Sequence, residues 1–325
     1  MSTNHIRRRT GHRPRYLRML IVLSALIPAT VCAGSYSASA DVRSGTAARP
    51  FAASAPWNTT IGHYPSTDPR SAQMVRSLQP PVALHTSIVE FGIPVYVAGR
   101  STPRYSVPCR VTTWGPCPFS GLSVPVPNGA RPSTGSDSAM VVVDERTNAV
   151  YEFWRVHKQG RSWSAAFGAV NTLTGSGWGG AATGSGASRL GGVVRLAEIA
   201  RGNIPHALAL QTNNACAVVF RSPAIKTDGR SARSDCIPEG ARLQLDPSID
   251  LNSLGLTPAE RTVATAMQRY GGYIVDIGSS ALSVSFERDP AASGNHIGGI
   301  YRNAGLRWDY DSLGGVPWNR LRVVK

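Results

Sequence analysis

His206 is the leading candidate for chemistry by its type and surroundings. It sits in the apolar run Ile204 to Leu210, and a neutral imidazole near pH 7 can take up or release a proton. If that run is a strand, His206, Leu208 and Leu210 point to one side and Ala207, Ala209 and Gln211 to the other. The same alternation fits a core histidine satisfied by one hydrogen bond, so a catalytic and a structural reading both stand at this point.

The candidate acids are Asp137, Asp144, Glu152, Glu198 and Asp276. Glu152 lies in VYEFWRV with Trp154 on the same face of the expected strand. A carboxylate beside an indole suits sugar recognition, the ring covering the apolar sugar face and the acid binding hydroxyls. The competing reading of Glu152 is a solvated surface acid. Asp276 ends the run YIVD and falls at a sheet rim, where an aspartate also serves simply as a turn former. Paired carboxylates would support glycoside hydrolysis. A His or Tyr base beside a Gln, Asn or Arg that neutralises a uronic acid would support eliminative cleavage. His206, Gln211, Tyr273 and Arg195 supply those residue types, with Trp154, Trp178 and Arg195 as the side chains to hold sugar rings or carboxylates.

Missing patterns remove other chemistries. No GxSxG elbow follows a strand, and Gly184-Ser185-Gly186 is ordinary loop composition. With neither HExxH nor CxxC present, no metal and no cofactor are expected. A metal held by residues distant in sequence would leave no such mark. Gly175-x-Gly177-x-x-Gly180 fits a dinucleotide fingerprint in form, but no strand and helix flank it. With eight glycines between Gly175 and Gly192, the stretch reads as a flexible loop carrying Trp178.

These residues need elements to position them. From Ile88 onward the apolar period is two, giving strands over Ile88 to Ala98, Leu122 to Val126, Ala139 to Asp144, Ala149 to Val156 and Trp163 to Phe167. Asp144 to Asn148 reads as a hairpin turn. A short helix over Val194 to Arg201 stops at Gly202, and further strands follow at Ala217 to Arg221, Arg242 to Leu245, Tyr273 to Gly278 and Ala281 to Glu287. Thr257-Pro258-Ala259-Glu260 is a capping box with proline at the first helical position, and the helix runs to about Tyr270. Asp68 to Leu78 reads as another short helix burying Met74, Val75 and Leu78. The aromatic tail with Trp308, Tyr310 and Trp318 is too apolar for a disordered end. Short strands separated by Pro- and Gly-rich turns indicate an all-β fold, a single antiparallel β-sandwich of jelly-roll or concanavalin-like type over residues 71–325.

The first 40 residues carry a basic start, an apolar run from Met19 to Ala33, and Ala38-Ser39-Ala40 before Asp41. That is the layout of a secretory signal peptide, with an apolar run too short for a membrane span. Residues 41–70 read as an extended, polar N-terminal segment in which Asn58-Thr59-Thr60 matches a glycosylation acceptor. Removing the leader takes the formal charge from +15 to +9, 28 Lys and Arg against 19 Asp and Glu. A basic exported protein favours anionic partners such as acidic polysaccharides or wall polymers. Nucleic acid is not expected, because no basic run interleaved with aromatics appears. The four remaining cysteines read as disulfides Cys109–Cys117 and Cys216–Cys236.

The run GGVVRLAEIARGNIPHALAL, the stretch IPEGARLQLDPSIDL and the run ending YGGYIVDIGS resemble a group of secreted bacterial proteins of largely unassigned function. Their shared pattern is GGxxRxxEIxxGxIxHALAL followed by YGxYxxD. The resemblance implies a single β-sandwich-like domain and marks Glu198, His206, Tyr270 and Asp276. Taken together, the sequence predicts a secreted carbohydrate-active protein that cleaves an extracellular polysaccharide by lyase or hydrolase chemistry, with His206 as base or acid and Asp276, Glu152 or Asp137 assisting. The alternative is a non-catalytic polysaccharide- or wall-binding protein.

Overall fold

The computed structural model describes residues 49–62, 65–78, 82–180 and 182–325; the leader expected over residues 1–40 lies outside them. The N-terminal half supplies α1 (Ser71–Ser77), β1 (His85–Ser87), β2 (Val95–Val97), β3 (Arg104–Tyr105), β4 (Val124–Pro125), β5 (Met140–Asp144), β6 (Ala149–Trp154), β7 (His157–Gln159), β8 (Ser162–Ser164) and β9 (Phe167–Thr172). The C-terminal half supplies α2 (Leu196–Arg201), β10 (Leu208–Thr212), β11 (Ala215–Phe220), β12 (Ile237–Glu239), β13 (Arg242–Leu245), α3 (Pro258–Arg269), β14 (Gly272–Ile277), β15 (Ser283–Ser285), α4 (Gly299–Asn303) and β16 (Leu321–Val324). The strand-dominated fold with few helices is as predicted, and the strands form several sheets.

Two sheets are large. One has six strands in the order β1-β15-β10-β14-β13-β16, and the other has four in the order β2-β5-β6-β9. The expectation of purely antiparallel pairing is corrected here: β10 with β14, β1 with β15 and β2 with β5 all run parallel. Parallel neighbours need a crossover rather than a hairpin. Between β10 and β14 the chain supplies one, passing through α3 on its way back. Short apolar runs read along the sequence do not reveal which neighbours are joined that way.

Side-chain alternation sorts the core into layers. Leu208, Leu210, Ile274 and Val284 leave one face of the six-stranded sheet and pack with Met74, Val263 and Met267 of the helices. Ala209, Tyr273 and Val275 leave the other face and share a cluster with Val141, Val143 and Val150 of the four-stranded sheet. Phe51, Ala55 and Trp57 complete that middle layer, so this part of the N-terminal segment is core. The outer face of the four-stranded sheet carries Met140, Val142 and Phe153 under Phe119, Val124 and Trp163.

Local signals explain the elements. Thr257 Oγ1 accepts from the Glu260 N–H at 3.3 Å, and Glu260 accepts from the Thr257 N–H at 2.9 Å, closing the predicted capping box of α3. Gly202 ends α2 at φ 68°, in the left-handed region open to glycine. Both predicted disulfides are present. Leu313 and Trp318 of the tail are buried, whereas Trp308 is 51% exposed.

Several boundaries differ from the sequence reading. Of the expected strand over Ile88 to Ala98, Val95–Val97 forms a strand and Ile93 makes an isolated bridge to Glu287. The residues before it cross from one sheet to the other, and the backbone N–H groups of Ile88, Val89 and Glu90 are satisfied by Asp309 at 2.7 to 2.8 Å. β10 begins at Leu208, so His206 precedes the strand. The Asn58 amide is buried and donates to the carbonyls of Pro50, Phe51 and Ala52, which removes it from the surface as a glycosylation acceptor.

Candidate functional site

A groove lined by residues of both large sheets has two arms of about 920 Å³ and 740 Å³. Both arms are lined by Asp137, Arg189, Asp276 and Ile277, which form the waist between them. The first arm holds Trp114 and Trp154, stacked at 5.4 Å, with Phe167 edge-on to Trp114. The second holds Phe91, Trp308 and Tyr310, the last two meeting edge to face at 5.7 Å. Trp114 is 59% exposed, so its ring is open to a ligand.

Asp137 is fixed from two sides. Its Oδ1 accepts from Trp154 Nε1 at 2.9 Å, and its Oδ2 lies 3.5 Å from Arg189 Nη1. Arg189 also donates to the Ala182 carbonyl, while its buried Nε has no hydrogen-bond partner. Asp276 reaches the waist through a β-bulge. On β14, Ile274 pairs with Leu210 but Asp276 pairs with Gln211, so Val275 is an extra residue. Strict alternation from Tyr273 and Val275 would send Asp276 to the helical side; the bulge turns it to the groove instead.

Two further acids converge on Asp276. Asp228 comes from the segment between Cys216 and Cys236, where Ile277 N–H donates to its Oδ1 at 3.3 Å and Gly184 leaves it room. Glu239 ends β12, and Gly240 follows at φ 83° with its N–H on the Ile274 carbonyl at 2.8 Å. A Cβ at Gly240 would lie 1.9 Å from the Arg221 carbonyl oxygen, so the turn that aims Glu239 requires glycine. One oxygen from each of Asp228, Glu239 and Asp276 lies within 4.8 Å of the others. Three bare carboxylates this close repel one another. Burial first, then Asp228 and Asp276, push Glu239 up to about 9. Burial, with the charges of Asp228 and Asp137, likewise raises Asp276 well above the usual carboxylate range, against the opposing pull of Arg189.

The sequence-predicted residues divide. Asp137, Asp276, Trp154 and Gln211 line the groove. Gln211 is held by Ser285, to which its Nε2 donates at 2.9 Å, and by Ser283, which donates to its Oε1 at 3.1 Å. Glu152 is fully buried behind the groove rather than solvated. It accepts from Ser188 Oγ and from Asn171 Nδ2 at 3.1 Å, and burial raises its pKa despite those bonds.

His206, Arg195, Trp178 and Tyr273 lie outside the groove lining. His206 is buried, with Nε2 3.0 Å from Glu198 Oε1 and Nδ1 2.9 Å from the Ala207 carbonyl. Burial opposes its charge, but the Glu198 carboxylate outweighs burial and raises its pKa. The cavity beside it measures about 10 Å³, no more than a water-sized space. Arg195 is paired with Glu287 at 2.8 Å. Trp178 stacks on Trp57 at 5.0 Å, and Tyr273 meets both rings edge-on in the middle core layer. The glycine-rich stretch that carries Trp178 is a packed wall: Ser185, Ala187 and Ser188 are buried, and Gly191 lies against Trp57. Gly177, Gly184, Gly186, Gly191 and Gly192 serve close approach rather than looseness.

Sequence reasoning missed Asp228, Glu239, Arg189, Trp114 and the placement of Trp308. Asp228 in TDGR and Glu239 in IPEG look like turn residues, and only the fold brings them to Asp276. No family model, curated protein or solved structure matches the chain.

Proposed function

We propose that the groove binds an extended glycan chain and that the protein cleaves an extracellular polysaccharide at the waist. The observation that carries this reading is the groove's layout: aromatic pairs lie in opposite arms, Trp114 with Trp154 and Trp308 with Tyr310, while Asp137, Arg189 and Asp276 line both arms between them. Aromatic faces suit the apolar faces of sugar rings, and a few convergent polar groups fix orientation. Asp137 is the carboxylate placed to move a proton at the linkage, with Arg189 beside it to hold sugar oxygens or a uronic acid. Lys226 and Arg230 add positive charge along the two arms, in keeping with an acidic polymer. The reading treats the two large sheets as halves of one sandwich, both contributing to the ligand groove, in an exported protein stapled by two disulfides. Among the described residues no helix is long and apolar enough to cross a membrane.

A non-catalytic binding protein is the second reading, favoured by one observation. Asp137 is already engaged by Trp154 and Arg189, as a purely structural acid would be. Retention of the purified protein on immobilised acidic and neutral polysaccharides tests the groove itself. Trp114→Ala and Trp308→Ala should each weaken retention on the same polymer. Undiminished retention in both variants would remove the groove from the account.

A further inference from the structure

Glu239 has no exposed surface, and neither of its carboxylate oxygens has a hydrogen-bond partner. A carboxylate buried without donors needs a neutralising proton or cation. One of those oxygens belongs to the triangle formed with Asp228 and Asp276, so the unpartnered group is aimed at two other acids.

We propose that Asp228, Glu239 and Asp276 bind a hard divalent cation at the waist of the groove. The donor set is all oxygen, without histidine or cysteine, which selects hard cations over zinc or copper. The three oxygens lie within 4.8 Å of one another, close enough to share one ion.

The surroundings hold the ligands in place. Asp228 is fixed by the Ile277 N–H and by the space above Gly184, and Glu239 by the turn through Gly240. Exposure rises from Glu239, which is buried, through Asp276 to Asp228, which is exposed. A cation gripped from below by Glu239 therefore keeps an open side for water or a ligand oxygen. Resting on the polysaccharide reading, that open side would draw the carboxylate or hydroxyls of a sugar at the waist.

Calorimetric titration of the purified, chelator-treated protein with CaCl₂, alongside thermal melting, tests the site without any glycan. The expected result is saturable binding of one ion per chain and a Tm that rises with Ca²⁺. Asp228→Asn and Glu239→Gln should each weaken binding at least tenfold. Asp228 is exposed, so its variant remains informative if Glu239→Gln fails to fold. Absence of heat and of any Tm shift with millimolar Ca²⁺, Mn²⁺ or Mg²⁺ in a folded wild-type protein overturns the proposal. So does unchanged Ca²⁺ binding by a folded Asp228→Asn protein. Polysaccharide retention is scored separately, so a failed cation site leaves the groove reading standing, and a failed groove leaves the cation site standing.

Discussion

Gln211 and Asp276 stand side by side on the parallel strands β10 and β14 because β14 carries one residue more than its partner, at Val275. The bulge sets Asp276 on the groove side of a sheet whose alternation would otherwise bury it among the helices. It also brings Asp276 within reach of Asp228, Glu239 and Asp137, none of which is its neighbour in the chain.

His206 should prove to be a stability residue. Its pKa is raised by Glu198, so the pair's contribution is fully present below the unfolded histidine value of about 6.5 and is lost as pH rises through the higher folded value. The groups facing the ring pair are Arg195, which opposes the charge, and Glu287, which neutralises Arg195. Breaking a buried pair of this kind costs about 3–5 kcal/mol. Urea unfolding of His206→Ala should show a loss of that order below pH 6.5 that shrinks at higher pH, with glycan retention unchanged in the folded fraction. Full stability with abolished retention would reinstate a role in the groove.

Glu152 has a pH dependence of the same direction, starting lower on the pH scale. Burial raises its pKa, so its proton is held more tightly in the folded than in the unfolded chain. Stability should therefore fall as pH rises from the unfolded glutamate value of about 4.3 through the folded one. Glu152→Gln should remove part of that slope, so that its stability relative to wild type improves as pH rises. Denaturant midpoints at pH 5 and pH 8 give the comparison, and equal slopes in both proteins would contradict it.

Much of the fold was legible because its signals are local. The capping box at Thr257, the αL stop at Gly202, the β5–β6 hairpin and both disulfides needed only a few consecutive residues. Asp137, Asp276, Trp154 and Gln211 were legible by residue type alone. What could not be read was which strands pair in parallel and where one carries a bulge. Those two facts decide that Asp228 and Glu239 meet Asp276 and that His206 does not. The glycine-rich stretch was misread for a related reason: composition cannot distinguish a loose loop from a backbone pressed against Trp57 and Asp228.

The Cys216–Cys236 disulfide should matter to function as well as stability, because the loop it closes carries Asp228. Replacing both cysteines with serine should lower stability by about 2–4 kcal/mol. Ca²⁺ affinity should fall with it even under conditions where the variant remains folded by circular dichroism. An unaltered affinity would mean that Asp228 is held by its local contacts alone.

The most direct measurement is turnover of a panel of acidic and neutral polysaccharides, following new reducing ends and the ultraviolet absorbance of unsaturated products, with Asp137→Asn and His206→Gln in parallel. The account predicts cleavage by the wild type, loss of at least a hundredfold in Asp137→Asn, and near wild-type rates in folded His206→Gln. Absorbance appearing with the reducing ends would assign elimination, and reducing ends alone hydrolysis. Cleavage that survives Asp137→Asn but disappears in folded His206→Gln would contradict the placement of the chemistry at the waist.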